Sequence, residues 1–376
     1  MKIFNLKCLL TVEFLIRLLV GLMLFTSSVY FYDSGGFQVS MLFFMLSFLA
    51  LIFFRFKDLT DVLTNKLHYP FYIFISITIG VNLFWGYLLN DLSFLMDSLT
   101  FIYFFLVLIL GIIIYQYFNE KFLHDFFWII FITNILQLLT VLYEGDLTRP
   151  AALFNNPNQL GHWGLLSFVA SLYLKKNNII NGFLINVNLL LSFFIIFACF
   201  SRAAIGGLFI GIIIEFIFDF KSILKYIFLT AIFIVGIGFV YPEFLDFTKK
   251  EVIMRFNEND EEDSIIGRGY KRIFKYPKYL ILGAGQKRNE RFYDEYEFHS
   301  SLGMIIFSYG ILGFFFFLSF FYSFFKEKWL NLTYFVPLLF FSLYHYSLRM
   351  VLLWLLFAII ITENNNLNIH KKNINI

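Results

Sequence analysis

The stretch LTFIYFFLVLILGIIIYQYF, residues 99–118, contains no charged residue. At about 1.5 Å per residue, a helix of this length is about 30 Å long, which matches the hydrocarbon core of a bilayer. Its apolar residues are consecutive, whereas the strands of a membrane barrel alternate apolar and polar residues. Only helices and closed barrels leave no backbone polar group unpaired in lipid, so the stretch predicts a transmembrane α-helix.

The rest of the chain repeats this pattern. Hydrophobic residues make up 60% of the 376 residues and charged residues only 15%, a composition typical of a chain surrounded by lipid. We therefore predict an all-α integral membrane protein, with residues 1–376 as a single polytopic domain of about twelve transmembrane helices. The predicted helices cover residues 9–30, 37–54, 69–89, 99–118, 122–143, 159–174, 179–200, 203–218, 223–241, 301–325, 330–346 and 348–361.

The N-terminus begins like a signal peptide, with Lys2 and Lys7 followed by an apolar run. No small-x-small cleavage site ends this run, and Glu13 and Arg17 interrupt it four residues apart. At that spacing the two charges can neutralise each other on one face of a helix. We therefore predict a first membrane helix here and not a cleaved signal.

Basic residues give the orientation, because short cytoplasmic loops are enriched in Lys and Arg. Every second connection is basic, and we predict these connections and both termini to be cytoplasmic. Their basic residues are Lys2, Lys7, Arg55, Lys57, Lys66, Lys121, Lys175, Lys176, Lys221, Lys225, Lys326, Lys328, Lys371 and Lys372. Arg149, Arg202 and Arg349 lie in the other short connections, and residues 242–298 form one large external loop between predicted helices 9 and 10. The predicted location is a bacterial inner or plasma membrane.

Several classes of function have no support in the sequence. The net charge of +3 is small, so we expect no nucleic-acid partner. Cys8 and Cys199 lie in apolar segments and suggest neither a disulfide nor a thiol metal site. The acidic run at residues 260–263 lacks a second set of ligands and the turn of a calcium loop. We predict no metal and no other cofactor.

The first polar element of the outer side is Asn156-Pro157-Asn158, which follows Arg149. Pro157 disfavours helix at Asn156, and Asn158 can cap the helix that follows. Capping does not explain Arg149, which stands on the side that normally avoids basic residues. His162 lies one turn into the helix, and we interpret it as a structural histidine facing the same side as Asn158.

The second element is Ser201-Arg202, which interrupts two apolar segments and is followed by Gly206 and Gly207. Small residues let neighbouring helices approach closely. An arginine at this boundary can either extend its charge to the membrane surface or point its fork of donors at a phosphate. We favour the phosphate, because an arginine that only reaches the surface does not need the serine and glycine context.

The third element lies in and after the large loop. Gly267-Arg268 is followed by Pro277, by Gly283 and Gly285, and finally by His299. The other basic residues of the loop are balanced by acidic ones and are best interpreted as a solvated surface. Arg268 and His299 are therefore the candidates for chemistry in this segment.

Taken in this order, these elements resemble the bacterial O-antigen ligase and O-antigen polymerase superfamily of integral membrane glycosyltransferases. Each motif is weak alone, and the resemblance covers mainly residues 149–313. In three places the chain departs from the family's pattern: Ser300 follows the histidine where asparagine is common, Gly206 stands where leucine is common, and the glycine turn ends in Gln286-Lys287. The residues that match the family's pattern are Asn156, Pro157, Asn158, Ser201, Arg202, Gly267, Arg268, Pro277, Gly283, Gly285 and His299.

The resemblance implies a GT-C-like fold and transfer of a glycan from undecaprenyl pyrophosphate to a hydroxyl at the external face, with inversion at the sugar. Arg202 and Arg268 would stabilise the pyrophosphate, and His299 would take the acceptor's proton. The expected partners are the lipid-linked donor, a glycan or lipid-linked acceptor, membrane lipid and a chain-length regulator. Further substrate-binding candidates are Arg149, Asn156, Asn158 and Arg349.

Three functions stay open at this point. A polymerase would join O-antigen or capsular repeat units, and a ligase would move the finished glycan to lipid A core or another acceptor. The departures at Ser300 and Gly206 favour the polymerase. A polysaccharide flippase or other transporter has the same composition, but we find no inverted repeat, and a transporter gives no reason for a long loop that ends in His299.

Overall fold

The computed structural model describes residues 2–32, 37–144, 149–218, 266–292, 298–326 and 329–364. Within these ranges all regular structure is helical and there is no β-strand, which confirms the all-α class. The helices are α1 Lys2–Thr26, α2 Val39–Phe54, α3 Phe56–Leu63, α4 Tyr69–Leu88, α5 Phe94–Phe118, α6 Glu120–Glu144, α7 Pro157–Lys176, α8 Gly182–Ala198, α9 Arg202–Phe218, α10 Lys271–Lys275, α11 Tyr279–Leu282, α12 Ser301–Phe325, α13 Val336–Tyr344 and α14 Val351–Asn364.

Each predicted membrane segment inside the described ranges coincides with a helix, and predicted helix 9, residues 223–241, lies outside them. Length and hydropathy together mark fewer helices as able to cross a membrane. Four described segments meet both conditions, or five if α2 and α3, which are bent by 105°, form one span. The four are Lys66–Leu88, Phe94–Phe118, Glu120–Glu144 and Ser301–Phe325.

The helix α3 is an element that the sequence analysis did not predict. Arg55 ends α2 and separates it from α3, whose buried side chains Leu59 and Val62 lie three residues apart. This spacing places both on one face of a short amphipathic helix. A helix of eight residues with three charged side chains is too short and too polar to be recognised as a membrane span.

The described residues form two compact units. The first unit comprises Met1–Thr133, Leu312–Asn331 and Arg349–Ile376. Its core contains the buried Phe71, whose ring centroid lies 4.7 Å from that of Phe105 and 4.6 Å from that of Phe320. Helices α5 and α14 are in close contact where a β-carbon on Gly111 would lie 2.7 Å from that of Ala358.

The charged residues of α1 do not pair as we predicted. Glu13 contacts Arg55 at 3.4 Å, and Arg17 contacts Asp125 at 2.6 Å. The expected neutralisation between Glu13 and Arg17 is therefore wrong. The physical reason is that helices α2 and α6 offer each charge an opposite partner, which a spacing within one helix cannot reveal.

The second unit comprises Asn134–Ile311 and Leu332–Leu348. In it, α7 packs on α8 through Gly164, where a β-carbon would meet Ile195 and Ile196 at about 3 Å. A buried amide also joins these helices, because Asn134 of α6 donates to Asn188 and accepts from Trp163, both at 2.9 Å. Polar groups buried among apolar helices are stabilised by such complete pairing.

Contacts at the helix ends give the directions of α7, α9 and α13 in this unit. Lys175 at the end of α7 donates to Glu215 near the end of α9 at 3.0 Å. The ammonium of Lys176 lies 5.6 Å from the ring of Tyr334, just before α13. The starts of α7 and α9 therefore lie about 25–30 Å away, at the opposite end of the unit, and α13 runs toward that end.

Candidate functional site

A cavity of about 230 Å³ opens at that opposite end of the second unit. Four of the predicted site residues line it, and they come from three separate parts of the chain. The lining residues are Arg149, Asn158, Phe200, Arg202, Ala203, Arg268, Phe340, Tyr344 and His345. The structure thus brings together three arginines that lie far apart in sequence.

Helix α7 begins at the cavity. Pro157 is its first residue, and the Oδ1 of Asn156 accepts a hydrogen bond of 3.0 Å from the backbone N–H of Gln159. Asn156 is therefore the N-cap, and our prediction that Asn158 would cap this helix is wrong. Proline is favoured at the first helical position because its missing N–H would be unpaired there anyway. This leaves Asn158 to line the cavity.

Helix α9 also begins at the cavity, with Arg202 as its first residue and Ala203 as its second. The first N–H groups of a helix have no partner within it and carry a partial positive charge of about half a unit. The starts of α7 and α9 therefore add to the positive potential of the arginines. Such helix starts bind phosphate groups readily.

The backbone beside the cavity is strained at residues that rarely adopt a left-handed conformation. Arg149 has a φ of 67°, Ala152 of 50° and Phe200 of 49°. For residues with a β-carbon this conformation costs roughly 1–3 kcal/mol each, and it persists only where surrounding contacts fix it. Arg149 and Phe200 both line the cavity, so the strain is concentrated at the candidate site.

Arg268 enters the cavity from the segment before α10. Its Nη1 lies 3.4 Å from the carbonyl oxygen of Tyr344 and 3.4 Å from Nδ1 of His345. The next residue, Gly269, has a φ of 92°, and a β-carbon there would lie 3.0 Å from the ring of Phe298. Glycine is therefore needed directly after Arg268, both for the turn and for the close approach of Phe298.

The segment that carries His299 is attached to the connection after α13. Ser300 donates to the carbonyl of Ser342 at 3.0 Å, and the backbone N–H of Ser301 donates to the carbonyl of His345 at 3.2 Å. Ser300 also caps α12, because its Oγ accepts the N–H of Gly303 at 3.0 Å. His299 is exposed and does not line the cavity, but it lies close enough to lower the pKa of His345.

Burial lowers the pKa of His345 to about 3, and the charge of Arg268 contributes most among its neighbours. His299, His162 and Arg149 act in the same direction. The imidazole of His345 is therefore neutral across the physiological range, surrounded by positive charge. An anion bound among the arginines would reverse part of this effect and raise the pKa of His345.

The remaining predicted residues lie elsewhere. Arg349 is exposed and belongs to the first unit. There, burial raises the pKa of Tyr30, and the charge of Arg349 opposes the rise. His162 is buried, and its ring stacks on Phe341 with centroids 4.4 Å apart, as expected for a structural histidine.

His345 was missed by the sequence analysis, as were the aromatic residues Phe200, Phe340 and Tyr344 that line the cavity. His345 follows the last residue of α13, but the predicted membrane helix at residues 330–346 included it. A predicted helix end two residues earlier would have placed His345 in the outer connection with Arg349. The aromatic residues carry no such signal, because they resemble any residue of an apolar helix.

The arrangement can bind an anion with several oxygens. Arginine presents a planar fork of donors, and three such forks surround a space large enough for a small charged group. In the part of the chain that the structure describes, no three His, Cys, Asp or Glu side chains are grouped as metal ligands. The positive potential of the cavity thus comes from the arginines and the two helix starts.

The described residues form an all-helical protein with several helices that are long and apolar enough to cross a membrane, and with a cavity lined by three arginines. No protein-family model matches the chain, and no curated protein matches its sequence.

Proposed function

We propose that the protein is an integral membrane glycosyltransferase that acts on glycans linked to undecaprenyl pyrophosphate. The observation that carries this proposal is the convergence of Arg149, Arg202 and Arg268 on one cavity. A pyrophosphate diester has anionic oxygens on two phosphorus atoms, and forked guanidinium donors can bind them in pairs. A site built only for a single carboxylate would not need three arginines.

In the proposed reaction, the acceptor hydroxyl attacks the anomeric carbon of the donor sugar. The bond between that carbon and the pyrophosphate oxygen breaks, and undecaprenyl pyrophosphate leaves with both electrons. Negative charge develops on the leaving oxygen, and donors fixed in advance around it lower the barrier. Arg202 and Arg268 supply these donors together with the starts of α7 and α9, and Arg149 and Asn158 bind the remainder of the group.

His299 is the proposed general base that takes the hydroxyl proton. His299 is exposed, and a histidine side chain can accept a proton near neutral pH. Its neighbours Ser300 and Ser301 are hydrogen-bonded to the connection that carries the cavity residue His345, which supports a position near the acceptor. Direct displacement from the opposite face inverts the anomeric centre.

The proposal includes a topology. About twelve spans, a large external loop at residues 242–298 and cytoplasmic termini in a bacterial inner or plasma membrane would make the protein GT-C-like. The sorting of charges in the second unit supports this orientation, since Lys175 and Lys176 lie at one end and the cavity at the other. Under the positive-inside rule, the end with the lysines faces the cytoplasm.

Among the glycosyltransferases that share this machinery, we propose a polymerase of O-antigen or capsular repeat units. The departures from the ligase-like pattern support it. At one of them, Ser300, the hydroxyl bonds to α12 and to Ser342, so a serine is built into the structure where asparagine is common in the family. At another, Gly206 lies against Phe340 of the cavity wall.

The test is glycan chain length in cells that lack the protein and are complemented with variants. We expect Arg268→Ala and His299→Ala each to lower polymerisation by about 100-fold or more, since each removes a group that acts on the transition state. Arg288→Ala is the matched control, because Arg288 is an exposed arginine of the same loop that contacts Glu290 at 3.3 Å and does not line the cavity. It should leave the ladder of long chains intact at equal protein abundance.

The products distinguish the alternatives. Single repeat units that still reach the final acceptor establish a polymerase. Full-length glycan that accumulates on the lipid carrier means a ligase instead. Unextended lipid-linked units on the cytoplasmic side would contradict the assignment as an enzyme and favour a flippase. So would full activity of Arg268→Ala and His299→Ala at normal abundance.

A further inference from the structure

His345 contacts one of the cavity's arginines in a way that defines its protonation. Nδ1 of His345 lies 3.4 Å from Nη1 of Arg268. A guanidinium has five N–H donors and no acceptor, so the contact is a hydrogen bond only if Nδ1 carries the lone pair. The proton of the neutral imidazole is then on Nε2.

His345 is held in place through its backbone and through its ring. Its own backbone carbonyl accepts hydrogen bonds from the N–H and the hydroxyl of Ser301, at 3.2 and 3.3 Å. Its ring packs against Phe341 with centroids 5.1 Å apart, and Phe341 is in turn stacked on His162. A side chain that is fixed in this way can orient a flexible neighbour without losing much entropy itself.

Arg268 is the flexible neighbour. An arginine side chain carries about 2 kcal/mol of rotamer entropy, which must be lost when it binds a ligand. Nη1 has two acceptors in the connection after α13, the carbonyl of Tyr344 and Nδ1 of His345. These acceptors hold one side of the guanidinium against the cavity wall, and the rest of the fork is then oriented before the ligand arrives.

We propose that His345 is a positioning residue that orients Arg268 for the donor's pyrophosphate by accepting an N–H at Nδ1. The proposal rests on the proposed function, because it names the residue that prepares one of the pyrophosphate-binding arginines. His345 acts through Arg268 and is not itself the base. The required property is an acceptor at the place of Nδ1, and a charge on His345 would work against it.

This requirement separates two substitutions at the same position. In His345→Asn, the Oδ1 of the new side chain can take the place of Nδ1 and accept from Arg268. In His345→Phe, the ring and its packing on Phe341 remain, but the acceptor is lost. His162→Phe is the matched control, since His162 also packs against Phe341 but does not line the cavity.

The first measurement is calorimetric titration of the purified full-length protein with farnesyl pyrophosphate, a short analogue of the lipid carrier. We expect His345→Phe to weaken binding about 10-fold, as for the loss of one hydrogen bond to a charged group. His345→Asn should stay within about 2-fold of the wild type, and so should His162→Phe. In an Arg268→Ala background, His345→Phe should have no further effect, because there is no guanidinium left to orient.

The second measurement is the kinetics of glycan transfer. In His345→Phe, kcat/KM for the donor should fall about 10-fold, because Arg268 acts on the bound donor and on the transition state. Unchanged kcat/KM in His345→Phe would overturn the proposal. So would His345→Asn with the same defect as His345→Phe, or a full 10-fold loss in the Arg268→Ala background.

The proposed function and the role of His345 can be contradicted by different results. If the wild type does not bind farnesyl pyrophosphate at all, the proposed function fails and this inference with it. If the wild type binds and His345→Phe binds equally well, only the role of His345 is wrong. Thermal unfolding of each variant is recorded alongside. If His345→Phe is misfolded, His345→Ala, which also lacks the acceptor, takes its place in every comparison.

Discussion

His345 also makes the stability of the protein depend on pH. Its pKa is about 3 in the folded protein and about 6.5 in an unfolded chain. Between these values the unfolded chain binds a proton that the folded protein does not, so the free energy of unfolding falls as pH falls below about 6.5. The slope from this one group is at most about 1.4 kcal/mol per pH unit.

His345→Asn should therefore be less sensitive to acid than the wild type. We expect the difference between the melting temperatures of the two proteins to shift in favour of the variant between about pH 7.5 and about pH 5. Scanning fluorimetry of both proteins in the same detergent measures it, with the values near neutral pH as the reference. Parallel curves for the two proteins over this range would show that His345 does not contribute.

At the residue scale, charged site residues could be predicted from the sequence, whereas site residues that are defined by packing could not. Arg149 and Arg202 were found because the positive-inside rule makes an arginine in a short outer connection unusual. Arg268 was found through the Gly267-Arg268 motif, and all three arginines line the cavity. Arg349, which the same rule selected, does not line it. The N-cap was misplaced by two residues, from Asn156 to Asn158, because both asparagines flank Pro157 and either could precede a helix. No sequence rule that we applied selects a residue such as His345.

The packing of α9 against α13 sets one wall of the cavity. A β-carbon on Gly206 would overlap the ring of Phe340, which lines the cavity. On the next residue, a β-carbon on Gly207 would lie 2.9 Å from the carbonyl oxygen of Pro337. Glycine at these positions lets the two helices approach, and the Phe340 ring occupies the space that a larger side chain at residue 206 would fill.

Gly206→Ala should force the Phe340 ring to move, and the open space beside it is the cavity. We expect about a 10-fold loss of donor turnover together with an overpacking cost of roughly 1–3 kcal/mol in stability. The double variant Gly206→Ala with Phe340→Ala should recover most of the turnover, because the clash is gone. Transfer rates and melting temperatures of the single and double variants measure both effects.

The control for this pair is Gly182→Ala at the start of α8, where no heavy atom lies within 4 Å of an added β-carbon. It should leave turnover unchanged. If Gly206→Ala retains full turnover, or if adding Phe340→Ala makes the defect worse, the wall is not set by this contact. The departure from the family's usual leucine at residue 206 would then need another explanation.

At the scale of elements, long helices were predictable and breaks in helices were not. Apolar runs of 16 or more residues located α2 and α5 well, because lipid favours an uninterrupted helix. The bend before α3 depends on Arg55, and the kink in α12 occurs at Gly310, which has a φ of 71°. There the carbonyl oxygens of Leu280 and Ile281 lie within 3.0 Å of where a β-carbon would be, a contact from distant sequence.

At the scale of the whole molecule, orientation in the membrane decides whether the cavity can meet an external acceptor. Arg288 is exposed in the predicted external loop, and Lys326 is exposed in a predicted cytoplasmic connection. Each can be replaced by cysteine in a background in which Cys8 and Cys199 are changed to serine and alanine. Neither Arg288 nor Lys326 lines the cavity, so glycan transfer should be retained in both variants.

We expect a membrane-impermeant maleimide to label Arg288→Cys in intact cells, and Lys326→Cys only after the membrane is broken. The physical reason is the positive-inside rule, which holds lysine-rich connections in the cytoplasm. The reverse labelling would turn the arginine-lined cavity toward the cytoplasm. A cytoplasmic cavity could still bind a pyrophosphate, but it would meet lipid-linked glycans before their export, which fits a flippase or an early transferase and excludes an external polymerase. The predicted topology requires an odd number of membrane crossings between residues 288 and 326. Labelling of both cysteines in intact cells would contradict this topology and the predicted span at residues 301–325.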